Sequence, residues 1–323
     1  MLALVVKKSE AERIKNMLYE KGLIDERRKL KKRDGEVEIP IKERVDMAYE
    51  IIEQDEPIFK LPSPFDEIKK RAGRDDIPRK WEKFGDVLIL KGIRSDAELA
   101  KIYADVLKCK CVLEDVGGIK GIERKPCFRI VYGENAETIH VENGIKYKFD
   151  AMQIMFSSGN IDERIRMAKV ADKNEVVVDM FAGIGYFSLP VAVYGKARVY
   201  ACEINPVAYR YLEENILLNE VVGLVKPLLG DCRKVAPLGV ANRVIMGYLN
   251  SIDFFEYAIK ILNEYGIVHL HQKCKKEDFP DKIFEKIKEI ARKNGRKVEM
   301  ILHRKIKSYA PGIIHGVIDL EVH

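Results

Sequence analysis

The sequence lacks the cysteine patterns that hold a zinc ion or a disulfide framework. Its six cysteines form no Cys-x-x-Cys pair, and no histidine–cysteine cluster has the spacing of zinc ligands. Cys109 and Cys111, separated by one residue, would point to opposite faces of a strand. We therefore expect reduced thiols and no bound metal, which is typical of a protein in a reducing compartment.

Long apolar runs are also missing. No stretch approaches the roughly 20 apolar residues that span a bilayer. The N-terminal stretch MLALVVKKSEAERIKNML has a short apolar start followed by charges, and it lacks the apolar core of a signal peptide. The sequence therefore predicts a cytoplasmic protein with no membrane partner.

What is present is the composition of a globular, mildly basic protein. Hydrophobic residues make up 47% of the 323 residues and charged residues 33%, with a net charge of +6. A chain rich in Lys and Glu with one Trp is typical of heat-adapted intracellular proteins. The positive charge is compatible with a polyanionic partner, and equally with an enzyme that acts on small molecules.

The order of the local patterns predicts several domains. Residues 1–55 have the pattern of a small α/β unit, and the proline-containing stretch 56–84 that of a linker with short helical pieces. Short strands around a helix predict a small α+β domain at 85–165, with a last strand at Met152–Phe156. In the first unit, Arg27–Arg33 is almost wholly basic, and this run is either a phosphate contact or a solvated loop.

Residues 166–323 alternate between strand and helix patterns, and we expect them to form the ligand-binding domain. Alternating βα units predict a parallel sheet with right-handed crossovers. Two final strands, Val298–Ile306 and Ile314–Val322, have no helix between them and predict an antiparallel strand inserted at one edge. The expected fold class is α/β, a Rossmann-like, doubly wound sheet with an antiparallel last strand, plus small N-terminal α+β domains.

The first unit of this domain is a buried strand, a glycine turn and a helix, with the sequence VVVDMFAGIGYFSLP. Asp179 ends the strand, and a turn with Phe181, Ala182, Gly183 and Gly185 follows it. A carboxylate beside a pyrophosphate would be unfavourable, whereas it suits a cationic amino-acid ligand. We therefore predict a site for S-adenosylmethionine (SAM) rather than for a dinucleotide, in a sheet of the class I SAM-dependent methyltransferase type.

Acidic residues also end the next two strands. Glu203 and Ile204 follow the second strand, about twenty residues past the first glycine, where an acid accepts hydrogen bonds from ribose hydroxyls. Asp231 and Cys232 follow the third, where a carboxylate could accept from an adenine amino group. Because the carboxyl ends of parallel strands meet at one edge, three acids in this arrangement indicate nucleoside binding.

The motifs resemble those of the archaeal and eukaryotic family that modifies the purine at position 37 of tRNA. The stretches that carry the resemblance are VVVDMFAGIGYFSLP, ACEINPVAYRYLEENILLNEV, NRVIMGYLNS, HVENGIKYKFD and SYAPGIIHGVIDLEV. One branch of that family methylates N1 of guanine. The other transfers the 3-amino-3-carboxypropyl group of SAM to the tricyclic base of the wybutosine pathway.

Two positions separate the branches. The methyltransferases have an Asn-Leu-Pro or Asn-Pro-Pro type motif after the fourth strand, where this chain has Gly247-Tyr248-Leu249. They also have Gly-Glu-Asn-Arg with a catalytic arginine, where this chain has Ala136 as the last residue. Both departures resemble the aminocarboxypropyl branch.

The resemblance implies an archaeal enzyme that uses SAM as a co-substrate, without a metal, on the anticodon loop of tRNA(Phe). Ser157 and Arg164 match residues that contact SAM, so we expect them to hold its methionine tail. Glu163 is either a proton acceptor or an exposed acid at the N-terminus of a helix. Gly247 and Tyr248 belong to the altered loop near the reaction. A monomer is expected. The guanine-N1 methyltransferase activity and a catalytically silent, SAM-containing RNA-binding protein stay open as alternatives.

Overall fold

The computed structural model describes residues 1–94, 96–120 and 125–323. The chain forms two compact units, Met1–Gly73 and Arg74–His323. Our division at residues 55, 84 and 165 is finer than this and stays a prediction. No helix in the described part of the chain is long and apolar enough to cross a membrane.

The first unit is an antiparallel sheet with the order β2-β3-β1-β4. Its core is formed by apolar side chains of the sheet and of helix α1, among them Leu4, Val6, Ile14 and Leu18. The elements are β1 (Leu2–Lys7), α1 (Ala11–Glu20), β2 (Lys31–Arg33), β3 (Glu36–Pro40), β4 (Glu50–Glu53) and α2 (Pro64–Ala72). Helix α2 shows that the predicted linker contains a well-formed helix, which Ser63 caps together with Asp66.

The basic run of the first unit serves the fold in part. Arg28 is only 3% exposed, and it donates to the side chains of Asp25 and Gln54 and to the carbonyls of Leu2 and Ile41. A buried guanidinium with these partners ties the loop to the sheet. Arg28 is therefore a structural residue, which a count of basic residues cannot reveal.

The second unit begins with a four-stranded sheet and a hairpin. The sheet has the order β5-β6-β7-β8 and is packed by helix α3, whose N-cap is Asp96. The hairpin β9–β10 turns at Asn143 and Gly144, as the turn signal predicts. The elements are β5 (Trp81–Phe84), β6 (Val87–Leu90), α3 (Ala97–Leu107), β7 (Cys111–Lys120), β8 (Lys125–Tyr132), β9 (Glu137–Glu142) and β10 (Ile145–Asp150).

The strand predicted at Met152–Phe156 is wrong, because this segment is a turn followed by irregular chain. Its alternating burial comes from tertiary packing, since the ring of Phe156 contacts those of Phe84, Phe149 and Tyr147. The segment leads into helix α4 (Ile161–Met167).

The large sheet has seven strands with the order β13-β12-β11-β14-β15-β17-β16. Strands β11 to β15 run parallel to one another. Strand β17 lies between β15 and β16 and is antiparallel to both. The predicted fold class is confirmed. The elements are β11 (Val176–Asp179), α5 (Ser188–Pro190, continued as a π-helix at Val191–Gly195), β12 (Arg198–Glu203), α6 (Pro206–Leu218), β13 (Val225–Leu229), α7 (Cys232–Val235), β14 (Ala241–Met246), α8 (Phe255–Ile261), β15 (Leu262–Lys275), α9 (Asp281–Lys293), β16 (Val298–Ala310) and β17 (Ile313–Val322).

Both faces of this sheet are covered. Neighbouring residues of a strand point to opposite faces, and accordingly Val177 and Val178 belong to two different core clusters. A strand buried on both faces explains the continuous valine run of β11. The arrangement leaves the carboxyl ends of β11 to β14 side by side at one edge of the sheet.

Candidate active site

A cavity of about 550 Å³ opens at the carboxyl ends of these four strands. It lies entirely within the second unit. The residues predicted for the site that line it are Ser157, Arg164, Phe181, Gly183, Glu203, Ile204, Asp231, Cys232, Gly247 and Tyr248. The structure therefore brings together residues from four strand ends and from the segment before the large sheet.

The end of β12 and the glycine turn hold each other in place. The Gly183 N–H donates to Glu203 Oε2 at 2.7 Å, and the Asn205 N–H donates to Glu203 Oε1 at 2.7 Å. Gly183 has a φ of +59°, and a Cβ there would lie 2.6 Å from the ring of Tyr186. A larger residue is therefore excluded. Glu203 is fixed at the cavity wall, where its carboxylate can accept hydrogen bonds from hydroxyl groups.

At the end of β13, Asp231 caps helix α7 by accepting from the Arg233 N–H at 3.0 Å. The Arg233 guanidinium also bonds the Asp231 side chain, and this contact lowers the pKa of the carboxyl. Asp231 is therefore an anion at neutral pH. Burial raises the pKa of the neighbouring Cys232 thiol to about 12, so Cys232 offers a neutral wall.

On the opposite side of the cavity, Arg164 is 3% exposed and forms a two-pronged ion pair with Glu142. Its Nη2 also donates to the Ser157 carbonyl at 3.0 Å, and its guanidinium lies 4.7 Å from the centroid of the Phe156 ring. These contacts fix both Arg164 and the Ser157 backbone. Glu142, which belongs to the β9 strand, carries the opposite charge and was not predicted as part of the site.

Three further residues of this wall were not predicted. Lys307, from β16, donates to Ser157 Oγ at 2.7 Å. Asn160 lines the cavity with a buried Oδ1 that finds no hydrogen-bond donor among the residues that the structure describes. His315, from β17, lies beside them. The chain carries no local signal for Lys307 and His315, because they reach the cavity only through the register of the final hairpin. Asn160 lies in the short turn Ser158–Asn160 directly after Ser157.

The loop after β14 forms a further part of the cavity wall. A Cβ on Gly247 would lie 2.9 Å from Cε2 of Phe187, so the backbone can pass there only as glycine. Tyr248 follows, with its ring centroid 5.4 Å from that of Phe181. Ser251 Oγ donates to the carbonyls of Met246 and Tyr248 and so fixes the loop.

Four predicted residues lie behind the wall rather than on it: Asp179, Ala182, Gly185 and Glu163. Asp179 is fully buried and accepts from Ser188 Oγ at 2.7 Å and from the Phe181 N–H at 3.2 Å. Burial raises its pKa to about 6. Asp179 therefore shapes the turn from beneath, and Gly185, with a φ of +98°, lets the turn enter α5.

Glu163 is also fully buried, whereas an exposed acid was the alternative that its position in the first turn of α4 suggested. It accepts from Arg166 Nε at 3.0 Å, and its Oε1 lies 3.9 Å from His271 Nε2. His271 Nδ1 in turn lies 2.9 Å from Nε2 of His315 at the cavity wall. Burial lowers the pKa of His271 to about 3, so this imidazole is neutral.

The hydrogen-bond acceptors of the cavity fit a nucleoside. Two carboxylates, Glu203 and Asp231, stand at neighbouring strand ends and accept hydrogen bonds from hydroxyl and amino groups. Phe181 and Ile204 add apolar walls between them. The opposite wall, with Ser157, Asn160 and Lys307, is polar and would meet a different part of the ligand.

Comparison with known families gives three matches along the chain. The TRM5/TYW2 methyltransferase domain matches residues 138–301. The TYW2 N-terminal domain matches residues 66–136, and the tRNA methyltransferase 5 N-terminal domain matches residues 3–50.

Two curated relatives cover most of the chain. The tRNA(Phe) (4-demethylwyosine(37)-C(7)) aminocarboxypropyltransferase of Pyrococcus horikoshii is 44% identical over 252 residues, which are 76% of this chain and 90% of that protein. The tRNA (guanine(37)-N(1))-methyltransferase Trm5b of Pyrococcus abyssi is 36% identical over 333 residues, which are 99% of each chain.

Solved structures of both kinds share the fold. P. horikoshii TYW2 in complex with MeSAdo has a TM-score of 0.72 and 39% identity, covering 79% of this chain and 97% of its own. The complex of aTrm5 with tRNALeu has a TM-score of 0.70 and 29% identity, covering 100% of both chains.

Proposed function

The chain belongs to the TRM5/TYW2 methyltransferase-domain family, and on this premise we propose that it is an aminocarboxypropyltransferase. It transfers the 3-amino-3-carboxypropyl group of SAM to C7 of 4-demethylwyosine at position 37 of tRNA(Phe) and releases methylthioadenosine. It acts as a monomer in the cytoplasm, on the anticodon loop. The 44% identity to an enzyme named for this reaction supports the proposal.

The observation that carries the choice of branch is the environment of Ala136. It is 4% exposed and packed in the core, and its carbonyl accepts from the Ala151 N–H at 3.0 Å. Where the methyltransferases of the family place a catalytic arginine, this chain therefore has a small apolar side chain. The loop Gly247-Tyr248-Leu249, which lines the cavity, also departs from the methyltransferase motif.

The chemistry is a nucleophilic substitution at carbon. SAM supplies a sulfonium with an electrophilic methylene carbon. As C7 of the base bonds to that carbon, the carbon–sulfur bond breaks and its electron pair stays on sulfur. C7 then loses its proton. Which carbon reacts is decided by position, because the reacting atoms must approach to about 3–3.5 Å. The protein therefore determines the product by how it holds the methionine tail.

We assign the residues of this chain as follows. Glu203 binds the ribose, Asp231 the adenine amino group, and the backbone of the Ala182–Gly185 turn approaches the ligand from below. Ser157 and Arg164 orient the tail. Tyr248 stands beside the reacting carbon. Glu163 is the final acceptor of the C7 proton. Because it does not itself line the cavity, the proton must reach it through His315 and His271, and His271 Nε2 must first close a gap of 3.9 Å to Glu163 Oε1.

The identity of the by-product tests the proposal. The protein is incubated with SAM and with tRNA(Phe) that carries 4-demethylwyosine, and the released nucleoside is separated by chromatography. We expect methylthioadenosine. tRNA(Phe) with unmodified guanine at position 37 is the matched control and should release none.

The second candidate is guanine-N1 methyl transfer, which the 99% coverage by Trm5b and the match of residues 3–50 favour. Release of S-adenosylhomocysteine with the guanine-37 control tRNA would support it and overturn the leading proposal. No by-product from either tRNA, with SAM and tRNA both bound, would instead identify a silent binding protein.

A further inference from the structure

The polar wall of the cavity contains two cations, Arg164 and Lys307. Arg164 directs two of its N–H groups to the Glu142 carboxylate, and it uses a further N–H on the Ser157 carbonyl. Lys307 donates to a neutral group, the Ser157 hydroxyl, at 2.7 Å. An ammonium group has three N–H donors, so Lys307 can hold Ser157 and a ligand carboxylate at the same time.

The position of Lys307 is defined by the turn it lies against. A Cβ on Gly159 would be 3.2 Å from Cδ of Lys307 and 3.4 Å from its Nζ, so the absence of a side chain there lets the lysine lie flat along the Ser158–Asn160 turn. Lys307 is half-buried as a result. Its ammonium is held at the cavity wall instead of extending into solvent.

Next to it stands an acceptor that lacks a donor. Asn160 lines the cavity, and its buried Oδ1 finds no hydrogen-bond partner within the described ranges. An unsatisfied buried carbonyl costs roughly 1–3 kcal/mol. Such an atom suits a ligand group that brings its own N–H donors.

The order of the strands places this pair at the correct end of the ligand. Asp231 and Glu203 stand on β13 and β12, and the glycine turn follows β11. Lys307, on β16, lies at the far side of the cavity. A ligand whose adenosine lies over β12 and β13 must direct its other end across β11 and β14, toward Lys307 and Asn160.

We infer that Lys307 binds the α-carboxylate of SAM and that Asn160 accepts a hydrogen bond from its α-ammonium. This inference rests on the proposed function, because it requires SAM in the cavity. Arg164 is then a positioning residue, which acts by holding the Ser157 segment against which Lys307 lies. Anchoring both polar groups of the tail fixes the direction of the methylene carbon, and so determines which carbon faces the base.

Ligand binding to the whole chain tests this without catalysis. Affinities are measured by calorimetry for SAM, for decarboxylated SAM, which keeps the ammonium, and for methylthioadenosine, which lacks the tail. We expect the wild type to prefer SAM over decarboxylated SAM by at least about tenfold, as a charge-assisted contact implies. Lys307→Met should abolish this preference and leave methylthioadenosine binding unchanged.

Asn160→Leu gives an independent readout. It should weaken SAM and decarboxylated SAM by the same factor and leave methylthioadenosine unchanged. Lys305→Met, on the same strand but exposed and away from the cavity wall, is the matched control and should change none of the three affinities.

Retained preference for SAM in Lys307→Met would overturn the carboxylate assignment, as would an equal loss for all three ligands. The outcome is separate from that of the by-product assay. If methylthioadenosine is released but Lys307→Met keeps the preference, the inference fails alone. If the variants behave as expected while S-adenosylhomocysteine is released, the inference stands and the proposed transfer fails.

Discussion

Two aspartates at the ends of β11 and β13, the strands on either side of β12, show how environment assigns different tasks to one type of side chain. Asp231 lines the cavity with a pKa lowered by Arg233, so it is an anion available to a ligand. Asp179 is sealed beneath the turn with a pKa raised to about 6 by burial, so its task is structural. Both were predicted as ligand contacts, because sequence shows that an acid ends a strand but not which way its carboxylate is used.

Replacing Asp231 with alanine should weaken SAM binding by at least about tenfold, because the ligand then lacks one of its hydrogen-bond acceptors. The affinity for tRNA should stay largely the same. Asp231→Asn is the matched variant: its amide oxygen can still accept from the Arg233 N–H that caps α7, so its effect should be smaller. Calorimetry with each ligand measures both effects, and an equal loss of SAM and tRNA affinity would contradict the adenine role.

Asp179 should make stability depend on pH. Its pKa is about 6 in the folded protein, against 3.8 for an aspartate in the unfolded chain. The folded protein binds the proton more tightly, so this group stabilises the fold fully below about pH 4, and the contribution is lost as the pH rises to about 6. A shift from 3.8 to about 6, at 1.36 kcal/mol for each unit, amounts to about 3 kcal/mol.

Asp179→Asn cannot titrate, so the comparison of the two proteins isolates this effect. The free energy of unfolding of the variant relative to the wild type should increase by about 3 kcal/mol between pH 4 and pH 7. Urea denaturation at several pH values measures it. A difference between the two proteins that is constant over this range would mean that Asp179 is already ionised in the fold at pH 4.

At the scale of elements, the parts predicted from sequence are those with local causes. The valine run of β11 carries its own signal, and the strand forms where expected. Helix α6 also has a local cause, since Asn205 Oδ1 accepts from the Val207 N–H at 2.9 Å and Pro206 begins the helix. The strand predicted at Met152–Phe156 does not form. Its apolar side chains are needed for packing against aromatic rings that are distant in sequence, and not for pairing in a sheet.

The same distinction explains which site residues were missed. Strand ends in an open parallel sheet meet by topology, so Glu203, Asp231 and Gly247 could be placed together in advance. Lys307 meets Ser157 across 150 residues of sequence, through a hairpin with several irregularities of register. No periodicity in the sequence encodes such a contact.

The loop after β14 supplies a prediction at this scale. Gly247→Ala would put a Cβ 2.9 Å from Phe187, which is 5% exposed and packs its ring against His271 at 5.1 Å. Since Phe187 cannot retreat into the core, it should move toward the cavity. We expect a stability loss of about 1–3 kcal/mol and SAM binding weakened by at least about tenfold.

Gly223→Ala is the matched control, because a Cβ there meets nothing within 4 Å. It should change neither the free energy of unfolding nor the affinity for SAM. An unchanged affinity in Gly247→Ala would show that the loop has room to adjust and does not define the cavity.

At the scale of the molecule, the cavity and the basic run Arg27–Arg33 lie in different units. Every residue that lines the cavity belongs to Arg74–His323. The first unit has its own core and carries exposed basic residues, among them Lys29 and Lys32. We propose that the first unit contacts the tRNA body through phosphates while the second performs the reaction.

A chain of residues 74–323 should therefore bind SAM with the affinity of the whole protein and bind tRNA more weakly. In the whole chain, Lys29→Glu with Lys32→Glu should lower tRNA affinity without changing SAM affinity or stability. Removing one phosphate contact should reduce the slope of log affinity against log salt by roughly 0.7–0.9. Binding titrations at several salt concentrations measure this.

Arg28→Ala separates charge from folding in the same run of residues. Arg28 is buried against Asp25 and Gln54, so its loss should destabilise the first unit by about 3–5 kcal/mol. The two exposed lysines should have no such effect. If the double lysine variant and the 74–323 chain bind tRNA as tightly as the wild type, with the same salt slope, the first unit makes no phosphate contact, and the second unit alone binds the tRNA.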